Sequence, residues 1–172
     1  ELIKKVDSFN DLEKEIIVVD DCSTDGTSDI LKRISEEKVK INIISHSQNM
    51  GKGAAIQSAL KAVKNDIIII QDGDLEYDPK DYPKLLHPIL NAKADVVFGS
   101  RFLGGRAVRV HLYWHYLANK ILTTLTNIFT NMNFTDIETG YKVFKKSIIN
   151  DIQLEEKSFG IEPEITIKLC KK

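Results

Sequence analysis

Short apolar runs that do not alternate, each followed by a segment of helical period, constrain this chain more than any other feature. Glu15–Asp21 (EIIVVDD), Ile41–Ser45 and Asp66–Asp72 are β-branched or apolar at successive positions, so they read as strands covered on both faces. Between them, Thr27 or Ser28 caps a helix running to about Glu37. Gly51–Lys64 places Ala55, Ala59, Leu60 and Val63 on one face of a second helix. Pro79 opens a third, to about Ala92, and Ala94–Phe102 is a fourth strand broken by Gly99. Leu112–Asn131 is the longest helical stretch, Thr139–Lys145 a further strand, and a last helix begins around Pro163. Such alternation predicts an α/β domain with a mainly parallel central sheet flanked by helices. Ligands in these sheets bind beyond the carboxyl ends of the strands. Those ends carry Asp20–Asp21, the segment Ser45–Lys52, Asp72–Glu76 and Ser100–Arg101.

The 172 residues predict one domain, residues 1–172, with core enough to fold without disulfides or metal staples. A net charge of −1 argues against a domain built to coat nucleic acid. The longest purely aliphatic runs are Ile16–Val19 and Ile67–Ile70, far short of the ~20 apolar residues of a membrane span. The residues from Glu1 onward show no basic-then-apolar leader, so no signal peptide is read within them. Cys22 and Cys170 match no metal-ligand spacing and read as reduced thiols of a cytosolic protein. The sequence sets no oligomeric state, and a homo-oligomer is compatible with it.

Near-neutrality hides a segregation. Asp72, Asp74, Glu76, Asp78 and Asp81 crowd together against a single Lys80. From Val96 to Thr135 there is no Asp or Glu, while Arg101, Arg106, Arg109 and Lys120 fall inside that window. One pole suits a cation, the other a phosphate or carboxylate.

Four constellations stand at these strand ends. In Gln71-Asp72-Gly73-Asp74-Leu75-Glu76, glycine lets two carboxylates turn into one space and Glu76 join them, a hard-oxygen set suited to Mg²⁺ or Mn²⁺. In Val19-Asp20-Asp21-Cys22, an acid at a strand end can accept from a nucleobase imide or ribose hydroxyl, Asp21 more plausibly than Asp20. Asn49-Met50-Gly51-Lys52-Gly53 starts a helix whose free N–H groups favour an anion, although it is no P-loop. Arg101, Arg106 and Arg109, interleaved with Phe102, Tyr113, Trp114 and Tyr116, suit a phosphate attached to a lipid or a surface resting on a membrane. The helix Leu117–Phe129 itself reads as an ordinary core helix. A fifth segment, Thr135-Asp136-Ile137-Glu138-Thr139-Gly140, offers a placed carboxylate, and spacing alone does not choose between Asp136 and Glu138.

Taken in order, VDDCSTDGT, NMGKG, QDGDLE, GSRF and TDIETGYKVF resemble the family-2 inverting glycosyltransferases, nearest the polyprenyl-phosphate (dolichyl-phosphate) glucosyl- and mannosyltransferase branch. The resemblance implies the nucleotide-diphospho-sugar transferase (GT-A type) fold, and transfer of a hexose from UDP-glucose or GDP-mannose to a polyprenyl phosphate with inversion. It implies Asp21 at the nucleobase, with Asp20 and Lys52 beside it, and Asp72 near ribose and metal. Asp74 and Glu76 take the metal positions, Arg101, Arg109 and Arg106 the acceptor phosphate, and Asp136 faces sugar and acceptor. Such an enzyme works at the cytoplasmic face of a membrane as a peripheral protein. The family opens with a strand ending in a Pro-x-Tyr-Asn-Glu-like turn; Glu1–Lys14 resembles the helix after it, so the chain is expected to lack its first strand and its C-terminal end. A saccharide hydroxyl in cell-wall or exopolysaccharide synthesis is the competing acceptor. An aspartyl-phosphate phosphatase built on Asp72, or a non-catalytic nucleotide-binding remnant, are the competing classes.

Overall fold

The five aliphatic runs become five strands in a computed structural model that describes residues 1–9, 13–37, 39–102 and 112–172. In chain order the elements are α1 (Leu2–Ser8), β1 (Ile16–Asp20), α2 (Thr27–Glu36), β2 (Ile41–Ser45), α3 (Lys52–Ala62) and β3 (Ile67–Ile70). A 3₁₀ turn, Pro79–Asp81, leads into α4 (Tyr82–Leu90), followed by β4 (Val96–Phe98), α5 (Tyr113–Thr130), β5 (Lys142–Lys145), α6 (Lys146–Ile149) and α7 (Ile161–Cys170). The last helix starts two residues before Pro163, which then lies in the first turn, where a missing N–H costs nothing.

Parallel pairing joins β1 to β2, from Ile16 opposite Ile41 to Asp20 opposite Ser45. The other sheet, in the order β3–β5–β4, departs from the mainly parallel expectation, since β5 runs antiparallel to both neighbours. The reason lies at the strand ends. Asp136 is tied to Arg101, just past β4, and Gly99 N–H donates to the Tyr141 carbonyl at 2.9 Å. The chain therefore re-enters the sheet at the carboxyl end of β4 and has to run away from it.

Period two along β5 then sorts the core. Tyr141 and Val143 face α4, packing with Tyr77, Tyr82, Leu85, Leu86 and Ile89. Phe144 faces the other way, onto Ile161, Ile165 and Leu169 of α7. Val143 and Phe144 have no exposed surface, a burial worth about 1.5–3 kcal/mol for each side chain. The same alternation sends Lys142 inward beneath α7.

Among the described residues no ladder joins β1 to β3. A cavity of about 1040 Å³ separates them, lined by Ile16–Val19 and Ile67–Ile70 and reaching Lys52, Asp72 and Gly73 at one end.

Candidate functional site

Asp21 follows β1 directly and the turn bends sharply after it, with Cys22 in the left-handed region at φ 62°. Its Oδ1 lies 2.6 Å from His46 Nδ1 and accepts the Met50 N–H at 2.8 Å; Oδ2 accepts the Gly51 N–H at 2.7 Å. His46 Nε2 in turn meets the Ser58 hydroxyl at 2.9 Å. Burial works against ionisation of Asp21, and these hydrogen bonds outweigh it, holding the carboxyl below its ordinary value. Asp21 thus clamps the β2–α3 loop. Asp20 points inward instead; it is buried, accepting from Ser23 N–H at 3.0 Å and from the Ser28 hydroxyl.

Several N–H groups around the helix start at Gly51–Gly53 are taken up within the chain. Met50 and Gly51 donate to Asp21, and Ala54 donates to the Lys157 carbonyl at 3.0 Å. Gly53 is needed there because a Cβ would overlap the Glu156 carbonyl oxygen.

Lys52 carries its charge across to the strand ends. Its Nζ lies 2.8 Å from Asp72 Oδ1, 3.0 Å from Oδ2, and 2.7 Å from Glu162 Oε1. Burial alone would lower the Lys52 pKa, but Glu162 and Asp72 raise it. Glu162 Oε2 pairs with Lys142, whose side chain has no exposed surface and also donates to the Thr139 carbonyl. Burial lowers the Lys142 pKa against the pull of Glu162. The result is an alternating row, Asp72–Lys52–Glu162–Lys142, running from the rim into the core. Sequence reasoning assigned no role to Glu162, Lys142 or His46. The available signal was a lone lysine inside the apolar run Tyr141–Phe144, which only an acid from another element could neutralise.

The carboxylates after β3 do not converge. Asp72 is engaged by Lys52, and Gly140 packs so close that a Cβ there would overlap its carboxylate. Asp74 is exposed, with Oδ1 accepting the Glu76 N–H at 3.1 Å, as in an Asx turn. Among the described residues no group of three His, Cys, Asp or Glu side chains is gathered to hold a metal ion.

At the opposite side of the rim, Arg101 forks onto Asp136: Nε to Oδ2 at 2.8 Å, Nη2 to Oδ1 at 3.0 Å, with the Arg101 N–H adding 3.1 Å to Oδ2. Asn119 of α5 donates to Oδ1 at 2.7 Å, and Thr123 holds the Asn119 amide. The Asp136 side chain is fully buried, so it faces Arg101 rather than an open cleft. The Arg101 side chain keeps 20% exposure and lies 5.5 Å from the Phe102 ring. Arg106 and Arg109 lie outside the described residues. Of the pair left open by spacing, Asp136 is the one sealed inside; Glu138 is half-buried.

The geometry sets a pH dependence. The hydrogen bonds of Ser23 and Ser28 lower the Asp20 pKa, and those of Arg101 and Asn119 lower that of Asp136 despite burial. With Asp21, these carboxyls have folded values below their unfolded value of about 4. Their stabilisation is therefore complete above that value and lost as pH falls through the folded ones. Urea midpoints are expected to hold steady from about pH 7 to 5 and to fall steeply below about pH 4, with the acid limb flattened in Asp136→Asn.

The strand ends thus carry a carboxylate clamp at β1 and a guanidinium–carboxylate fork past β4. The glycosyl transferase family 2 pattern matches residues 1–153, and the chain belongs to that family. It is 30% identical to an uncharacterized protein of Methanocaldococcus jannaschii, over 99% of this chain and 77% of that one. It is 28% identical to the dolichol-phosphate mannosyltransferase of Pyrococcus furiosus, over 98% of this chain and 48% of that one. Among solved structures it resembles glucosyl-3-phosphoglycerate synthase from Mycobacterium tuberculosis in complex with Mn²⁺, UDP-glucose and phosphoglyceric acid. That likeness has a TM-score of 0.69 at 20% identity and covers 93% of this chain and 55% of the synthase. The chain thus spans about half the length of the mannosyltransferase and of the synthase. The fold is the nucleotide-diphospho-sugar transferase type, and the phosphatase reading is set aside.

Proposed function

We propose that the chain supplies the nucleotide-sugar site of an enzyme moving a hexose from a nucleoside-diphosphate sugar to a polyprenyl phosphate, with inversion, at a membrane surface. The observation that supports this reading is that the Asp21 clamp, the Lys52–Asp72 pair and Arg101 each lie just past the carboxyl end of a strand, β1, β3 and β4. Family membership and the dolichol-phosphate mannosyltransferase relative support it.

Asp21 spends three of its roughly four acceptor sites on the loop, leaving one on Oδ2 for a nucleobase or ribose donor. Lys52 takes the diphosphate side, a cation held at the rim by Glu162. Arg101 uses only one edge of its guanidinium on Asp136, and its remaining N–H donors fit an acceptor phosphate. Asp136 is then a positioning residue that aims Arg101. A buried, doubly paired carboxylate makes a poor general base. That favours an acceptor already ionised at neutral pH over a saccharide hydroxyl, which would need one.

A divalent ion suits the donor chemistry of the β3 loop. Asp74 is an exposed hard-oxygen donor with one oxygen partly occupied, and Glu76 stands two residues on. The solved synthase relative binds Mn²⁺. Asp74 and Glu76 would hold Mg²⁺ or Mn²⁺, and the ion would neutralise the departing diphosphate. Sugar transfer from UDP-glucose and GDP-mannose to a short polyprenyl phosphate tests the reading. Asp74→Ala is expected to lower transfer about a hundredfold, and unchanged turnover in that variant would remove the metal role.

A further inference from the structure

Asp21, His46 and Ser58 form a line of three side chains, one just past β1, one just past β2 and one inside α3. The chemistry of each partner fixes the direction of the hydrogen bonds. Asp21 is held ionised and can only accept, so the 2.6 Å contact to His46 places a proton on Nδ1. In the neutral ring Nε2 is then an acceptor, and it takes the Ser58 hydroxyl proton at 2.9 Å. The same three residue types activate a nucleophile in hydrolases. Ser58, however, lies inside α3, where backbone N–H groups serve the helix and leave none to cradle an oxyanion. The line acts at its other end, on Asp21.

A carboxylate has roughly four acceptor sites, two on each oxygen. His46 and the Met50 N–H fill those of Oδ1, and the Gly51 N–H takes one on Oδ2. The His46 side chain keeps only 9% exposure and is held at both ring nitrogens, so it does not yield its place on Oδ1 to a ligand. Asp21, with 20% of its side chain exposed, therefore offers a single site on a single oxygen. We propose that this single vacancy makes the rim select uracil over guanine, and that His46, by filling Oδ1, is the specificity-determining residue. Uracil presents one imide N–H between two carbonyls. Guanine presents N1–H and its 2-amino group side by side, a pair that fits both oxygens of an unoccupied carboxylate. With Oδ1 filled, the second guanine donor meets no acceptor there, and an unmet donor in a closed site costs affinity. The inference rests on the reading of Asp21 as the nucleobase contact, and it names the base which that reading leaves open.

Titration of the chain with UDP, GDP and IDP in the presence of Mn²⁺ tests the proposal. IDP is GDP without the 2-amino group, so it separates the number of donors from the size of the base. UDP is expected to bind at least about tenfold tighter than GDP, and IDP at least about threefold tighter than GDP. His46→Phe keeps a ring, removes both nitrogens and vacates a site on Oδ1, while Ser58 can turn to the helix carbonyl four residues back. In that variant the preference for UDP over GDP is expected to fall at least about fivefold, and His46→Asn, whose amide N–H stands in for Nδ1–H, is expected to restore it. A histidine with a merely structural role would weaken both nucleotides alike. GDP binding as tightly as UDP overturns the proposal, as does IDP binding more weakly than GDP, or an unchanged preference in folded His46→Phe. Binding with guanine preferred overturns this inference and leaves the nucleotide reading standing. Binding of none of the three overturns both.

Discussion

Asp136→Ala is expected to lower folding stability by about 3–5 kcal/mol, a large share of the ~5–15 kcal/mol a domain holds. The carboxylate is fully buried and accepts three hydrogen bonds from Arg101 and one from Asn119. Removing it leaves a half-buried guanidinium and a buried amide without their acceptor, and leaving such donors unmet costs more than the pair contributes in sum. It also loosens the seam between α5 and the end of β4. Asp136→Asn keeps the shape and one acceptor, so its loss should be about half as large. Urea unfolding of the two variants at pH 7 checks the order. If alanine costs less than about 1 kcal/mol, the fork is a surface pair and not the anchor described.

Glu162→Ala is expected to be comparably severe, again about 3–5 kcal/mol, because it strands Lys142 in the core with no exposed side-chain surface. The same change removes one of the two anions that fix Lys52. Lys142→Met combined with Glu162→Leu should recover most of the stability, since replacing a buried pair by apolar groups of similar volume is often neutral or better. The double variant would still differ from the native chain in one respect: Lys52 would answer to Asp72 alone. Additive losses in the two single variants and the double, measured as a cycle, would show that Lys142 and Glu162 are not coupled.

The strands and their carboxyl-end rim were legible because β-branched runs ending in Asp leave few other readings, and EIIVVDD became β1 with Asp21 at its end. The direction of β5 was not legible. It depends on Asp136 meeting Arg101 across 35 positions, a contact that the four residues Lys142–Lys145 do not themselves announce. Helical period located α5 without saying which face turns inward, since Asn119 and Thr123 are buried only because Asp136 needs a donor there. Glycine spacing at Asp72-Gly73-Asp74 suggested convergent carboxylates. Lys52, twenty positions away, instead claims Asp72, and Asp74 closes its own turn on Glu76. The charge row from Asp72 to Lys142 was hidden for the same reason: each partner comes from a different element.

Calorimetric titration of the folded chain with UDP and with GDP, with and without Mn²⁺, tests the central claim of a nucleotide-sugar rim most directly. The account predicts one saturable site for one of the two nucleotides, tightened by Mn²⁺ and weakened by Asp74→Ala. No saturable heat with either nucleotide, from protein whose circular dichroism is native, would contradict it.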